Sequence, residues 1–152
     1  MNIWHTPQSL SQINEMNKGT LAECLGIAFT EIGADFLRGT MPVDMRTKQT
    51  YGLLHGGASV ALAETLGSVG ATLCVDSNAF QCVGQEINAN HVRPARQGMV
   101  TGTARAVHRG ARSQVWTIDI HNEAQQLVCT SRLTVAVIRR GALTGTRTSP
   151  GT

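Results

Sequence analysis

QTYGLLHGGASVALAETLGSVGATLCVD, running from Gln49 to Asp76, is the stretch from which the fold is read. Gly56 and Gly57 open a run that stays small and apolar for about five turns. The spacing predicts one helix from Gly56 to Val75, broken by Asp76-Ser77-Asn78. Leu62, Leu66, Val69 and Leu73 form one stripe along it. Glu64 projects from the far side, on a face shared with Val60, Ser68 and Ala71. The helix is apolar nearly all round, so it is expected to be buried nearly all round. A lone carboxylate there is costly unless it is paired or protonated. Glu64 is therefore either half of a structural ion pair or a functional group. The run is long enough for a membrane span, but its Gly, Ala, Ser and Thr content and the central Glu64 argue against one.

Towards the N-terminus, Ser9 and Gln12 have capping-box spacing, which places a short helix from Ser9 to Gly19. Thr20 to Leu25 reads as a further helical turn stopped by Gly26. Ile27–Ile32 and Phe36–Val43 read as a strand pair joined by a turn at Gly33-Ala34-Asp35. Asp44 to Leu54 shows no period and reads as a loop. Beyond the long helix the period changes to two, giving strands over Phe80–Arg93, Met99–Arg109, Ser113–His121 and Leu127–Ile138. One long helix with five or six strands predicts an α+β fold, a curved antiparallel sheet wrapped around that helix. Residues 1–138 make one domain, and the Gly-, Thr- and Ser-rich residues 139–152 are expected to be a disordered tail.

The 152 residues are 41% apolar, an ordinary globular composition. The first nineteen residues hold no apolar core, so no signal peptide is expected. Cys24, Cys74, Cys82 and Cys129 are scattered without metal-site spacing and are expected to be reduced thiols of a cytoplasmic protein. Between Ile87 and Ile118 there is no Asp or Glu, yet the window holds Arg93, Arg96, Arg105, Arg109 and Arg112. Such a window is either a solvated basic face or a site for a polyanion. Its arginines are not interleaved with the aromatics that accompany nucleic-acid contacts, and the compact phosphates of a small molecule fit at least as well as nucleic acid.

The start of the long helix offers chemistry of its own. Its first amide N–H groups have no intrahelical acceptor, the helix dipole adds partial positive charge, and Gly56 lets a ligand approach the backbone. Such a site polarises a carbonyl oxygen and holds an oxyanion, with Gln49 and His55 supplying further hydrogen bonds. Gly56 and Glu64 are eight residues apart on one helix, about 12 Å. If both act on one carbonyl group, they come from different chains, which predicts a dimer with two composite sites.

The strings Met41-Pro42-Val43-Asp44, Arg46-Thr47-Lys48-Gln49, Gly52-Leu53-Leu54-His55-Gly56-Gly57-Ala58-Ser59, Leu62-Ala63-Glu64 and Glu86-Ile87-Asn88-Ala89-Asn90-His91-Val92-Arg93 resemble hotdog-fold acyl-CoA thioesterases. The branch is that of the Arthrobacter-type 4-hydroxybenzoyl-CoA thioesterase, with the thioesterases of menaquinone and enterobactin synthesis. The resemblance covers Thr20 to Ile138. It implies that Glu64 is nucleophile or general base, that the Gly56 amide meets the thioester oxygen, and that Gln49 and His55 position the acyl group. It also implies that Ser68 places water or the leaving sulfur. Gly84, the run His91, Val92, Arg93 and Pro94, and the run His108, Arg109, Gly110, Ala111, Arg112 and Ser113 match stretches that hold CoA. Ala111 stands where close relatives carry a serine, which removes one hydrogen bond to the nucleotide end. The implied substrate is an aromatic or medium-chain acyl-CoA. CoA is part of the substrate, and no separate cofactor or metal is expected. Two alternatives are proofreading of thioesters on an acyl- or aryl-carrier protein, and a non-catalytic acyl-CoA-binding module. The implied assembly is a dimer of dimers, without nucleic acid or membrane as partner.

Overall fold

A computed structural model describes residues 2–141 of the chain. Two short helices, α1 (Leu10–Glu15) and α2 (Leu21–Cys24), precede a strand pair, β1 (Ala28–Ile32) and β2 (Phe36–Pro42). The long helix α3 (Gly56–Leu73) follows, and then β3 (Phe80–His91), β4 (Met99–Arg109), β5 (Ser113–Asn122) and β6 (Leu127–Arg139). All six strands form one antiparallel sheet in the order β1-β2-β4-β5-β6-β3. Helix α3 touches β2, β3, β4, β5 and β6, so the sheet curls around it as the sequence led us to expect. Residues 142–152, most of the expected tail, lie outside the described residues, and β6 already takes in Arg139.

The strands alternate as their sequences require. In β5, Trp116, Ile118 and Ile120 point to the helix and are fully buried, while Thr117 and Asp119 face outward. Leu62 and Leu66 of α3 are likewise fully buried and meet this face. Each such leucine stabilises the fold by roughly 1.5–3 kcal/mol through the area it removes from water. Trp116 needs room under the helix, and Gly70 supplies it. A Cβ at Gly70 would stand 2.9 Å from the indole ring. The Trp116 indole N–H donates to buried Gln114 Oε1 at 3.0 Å, and Gln114 Nε2 donates to Ala71 O at 3.2 Å, so these two buried polar side chains are satisfied in series.

Three expectations need correction. The helix ends at Leu73, with Cys74 as its C-cap, rather than at Val75. It is not buried all round, because the sheet wraps one side only. Val60, Ala61, Glu64, Thr65, Ser68 and Thr72 form a half-exposed band on the other side. The α1 helix carries the full capping box from Ser9 and Gln12 but ends at Glu15, with Gly19 closing the following turns at φ +69°.

Candidate active site

The segment between β2 and α3 was expected to be an irregular loop, but it is a short, bonded hairpin. Gln49 N–H donates to Leu53 O and His55 N–H to Thr47 O, each at 2.8 Å, around an isolated bridge between Lys48 and Leu54. Thr47 is buried, its hydroxyl donating to Pro42 O at 2.7 Å. The Arg46 guanidinium chelates Asp44 from above, at 2.7 Å, and holds that carboxyl below the usual carboxylate range. This hairpin fixes where Gln49 and His55 stand relative to the helix start.

His55 is the N-cap of α3, and its Nδ1 accepts the Gly57 N–H at 2.8 Å. An imidazole whose Nδ1 is an acceptor carries its proton on Nε2. The carbonyl of His55 accepts from Ala58 and Ser59, at 3.0 and 3.2 Å. The Gly56 N–H is thus the one amide of the first turn with no acceptor among the described residues. Gln49 is arranged in the same sense. Its Oε1 accepts the Tyr51 N–H, which leaves the amide nitrogen to donate outward. Gln49, His55 and Gly56 have their acceptor atoms committed internally and present N–H donors. Gln49 and Gly56 open onto a cleft of about 340 Å³ walled by Leu53, Leu54, His91, Val92, Arg93 and Pro94. His91 Nε2 lies where a side chain at position 56 would be, 2.7 Å from such a Cβ. N–H donors lining one cleft, as Gln49 and Gly56 do, are what a developing oxyanion requires.

Glu64 is elsewhere. It sits two turns along α3 on the half-exposed band, and its carboxylate has no hydrogen-bond or ion-pair partner among the described residues. The structural ion pair that the sequence left open is therefore not made among the described residues. The carboxylate lies over Gly84 of β3, where a Cβ would stand 2.5 Å from Oε1. Ser68 follows one turn later on the same band, its carbonyl accepting from the Thr72 hydroxyl at 2.9 Å.

The expected CoA-binding residues divide in the same way. His91 to Pro94 lie at the N-terminal end of α3, with Arg93 Nη1 bonded to Leu127 O at 2.9 Å. The hairpin of β4 and β5 carries His108, Arg109, Gly110, Ala111, Arg112 and Ser113 around its turn and lies at the other end. There Arg109 Nη1 reaches Ile3 O at 3.4 Å, in the N-terminal segment that also bonds Leu73 O. Gly110 N–H closes the turn on Ser113 O, Ala111 and Arg112 are exposed, and Ser113 pairs with Ala136, itself paired with Val83 beside Gly84. From Gly84 to His91 the strand runs seven residues, about 23 Å. The single basic window of the sequence is thus two patches, and Arg105 lines the same cleft as His108 and Arg109 with its charge paired to Asp35 at 2.8 Å.

Sequence reasoning missed the Tyr51 amide, the capping role of His55 and the seat under Glu64. The Gly-Gly pair after His55 was a signal for the cap. Nothing in the sequence marked the bulge between Gly84 and Glu86.

Comparison with known proteins places this geometry. The thioesterase superfamily model matches residues 51–129. A 1,4-dihydroxy-2-naphthoyl-CoA hydrolase of Escherichia coli is 52% identical over 136 residues, 90% of this chain and 99% of the relative. The proofreading thioesterase EntH of Cronobacter turicensis is 50% identical over 90% of this chain and 98% of its own. The crystal structure of a mutant thioesterase from Pseudomonas aeruginosa superposes with a TM-score of 0.90 at 45% identity, covering 91% of this chain and 99% of that one. A zebrafish thioesterase superfamily member shares the fold at 19% identity and a TM-score of 0.76. The chain is a hotdog-fold thioester hydrolase and belongs to the thioesterase superfamily.

Proposed function

We propose that the enzyme hydrolyses an acyl-CoA thioester with an aromatic acyl group, at a site completed by a second copy of the chain. The observation that carries this reading is the division of the site: the N–H donors and the unpartnered carboxylate lie about 12 Å apart on one helix. The half-exposed band of α3 and the free edge of β3 adjoin Glu64, and an unpaired edge next to an incompletely covered helix is a surface that a second copy can close. Antiparallel placement of two α3 helices brings the donors of one chain to Glu64 of the other.

In the composite site the thioester oxygen takes hydrogen bonds from the Gly56 amide, with His55 Nε2–H and the Gln49 amide nitrogen beside it. Glu64 then either attacks the carbonyl carbon, forming an anhydride that water cleaves, or removes a proton from the attacking water. Both routes pass through an oxyanion and release the free acid and CoA thiol. The basic patches at Arg93 and at Arg109 and Arg112 offer charge to the phosphates of CoA. The aromatic acyl group is suggested by the naphthoyl substrate named for the Escherichia coli relative. A thioester on the phosphopantetheine arm of a carrier protein presents the same reacting atoms, and the proofreading relative supports it as a second reading.

Steady-state hydrolysis of an aromatic acyl-CoA, a medium-chain acyl-CoA and an aroyl-carrier protein tests the assignment. The highest kcat/KM is expected for the aromatic acyl-CoA. A carrier-protein substrate preferred by tenfold or more would favour the second reading, and absence of turnover with all three would overturn both.

A further inference from the structure

We infer that Gly84 is a positioning residue for the reaction: its missing side chain is the seat that holds the Glu64 carboxylate in its reactive place. The inference rests on the catalytic reading of Glu64. Resemblance gave Gly84 only a part in holding CoA, whereas the geometry ties it to the carboxylate. A Cβ at position 84 would stand 2.5 Å from Glu64 Oε1 and 3.6 Å from its carboxyl carbon, and its next neighbour, Leu133 Cδ1, is at 3.8 Å, an ordinary contact. The carboxylate is thus the one group such a methyl displaces.

The backbone is shaped to the same end. The register of β3 on β6 slips between Gly84 and Glu86, so Gln85 is an extra residue at the point where the strand passes the carboxylate. Bulges bend a strand locally and recur beside active sites. No hydrogen bond or ion pair within the described residues orients Glu64. Contact with bare backbone on one side and the helix on the other is what places it. Because the displaced atom is the end of a flexible side chain, a methyl at position 84 costs the fold little. It still moves the reacting oxygen by about an ångström, and a displacement of that size lowers rate on the order of 10²-fold.

The test is a double-mutant cycle on the full chain, with Gly84→Ala, Glu64→Asp and the pair, and Glu64→Gln as a separate arm, all assayed on one hydrolysed acyl-CoA. Gly84→Ala is expected to lower kcat about 10²-fold with KM within twofold and an unchanged circular dichroism spectrum. Glu64→Asp alone, shorter by one methylene, falls comparably. In the pair the shorter carboxylate clears the new methyl, so activity is expected to equal or exceed that of Glu64→Asp, a non-additive result. Losses that multiply to about 10⁴-fold would overturn the seat, as would a fully active Gly84→Ala enzyme or one whose KM alone changes. If Gly84→Ala merely unfolded β3, the pair would be equally unfolded and no recovery could appear. An active Glu64→Gln enzyme would sink the catalytic reading itself, a distinct outcome.

Discussion

His55 shows how one residue joins fold and chemistry. Its Nδ1 satisfies an orphan amide of α3, and that bond dictates a neutral ring with its proton on Nε2, turned outward as a donor. The expected ¹⁵N spectrum of the imidazole at neutral pH shows a pyridine-like Nδ1 and a pyrrole-like Nε2. A protonated Nδ1 would contradict the capping geometry. The cysteines allow a second check. Burial pushes the Cys74 thiol up to about 11, against the pull of the nearby Arg109 guanidinium, and burial also raises Cys82 and Cys129. A raised value means less thiolate at every pH below it, so alkylation of the native protein at pH 8 should label exposed Cys24 first and Cys74 slowly. Rapid labelling of Cys74, read by peptide mass spectrometry, would show that its surroundings are open. At this scale the sequence made Glu64 conspicuous, because a charge in an apolar helix must be explained. It could not show that Gly84 faces Glu64, since that contact spans twenty residues of chain and depends on a bulge that leaves no compositional mark.

Among the elements, α3 was the most legible. Small residues in a long run can only be a helix packed closely, and Gly70 beneath Trp116 is the physical reason for one of them. Its extent of burial was misread because periodicity reports which residues tolerate a core, not whether this chain or another covers them. The strings that carry the family resemblance all lie beyond the N-terminal segment, but relatives match over about 90% of the chain, and that segment closes the far end of α3. Trp4 stacks on Trp116 with ring centroids 6.3 Å apart, its indole N–H donates to Gly33 O at 2.7 Å, and His5 and Thr6 N–H both donate to Leu73 O. Trp4→Ala should therefore destabilise the protein by roughly 2–4 kcal/mol, somewhat less than a fully buried tryptophan. An unchanged melting temperature would show that the segment only rests on the surface. The hairpin before α3 was illegible for the opposite reason to α3. Its order comes from Thr47, from the Asp44–Arg46 chelate and from backbone bonds, none of which has a period.

At the scale of the whole molecule, the donors and one basic patch lie at one end of α3, Glu64 at its middle, and the second basic patch at the other end. If Arg109 and Arg112 meet substrate phosphates remote from the reacting carbon, replacing both with alanine should raise KM more than it lowers kcat. Each lost charged contact is worth about 1–3 kcal/mol, and equal KM values for the double variant and the wild type would remove these residues from the binding surface. The division of the site was legible in the sequence through helix geometry alone, because eight residues set a distance that no packing can alter.

The central claim, that two chains build each site, is tested most directly by mixing subunits. Glu64→Ala and His55→Ala chains are each expected to form nearly inactive homodimers. After subunit exchange, one site of the mixed dimer carries both lesions, and the other combines an intact His55 from one chain with an intact Glu64 from its partner. Activity should reappear, up to about half of the wild-type value per mixed dimer if the two sites act independently. Continued inactivity after exchange has been confirmed by mass would mean that each chain carries its own complete site, and the two-chain account would be wrong.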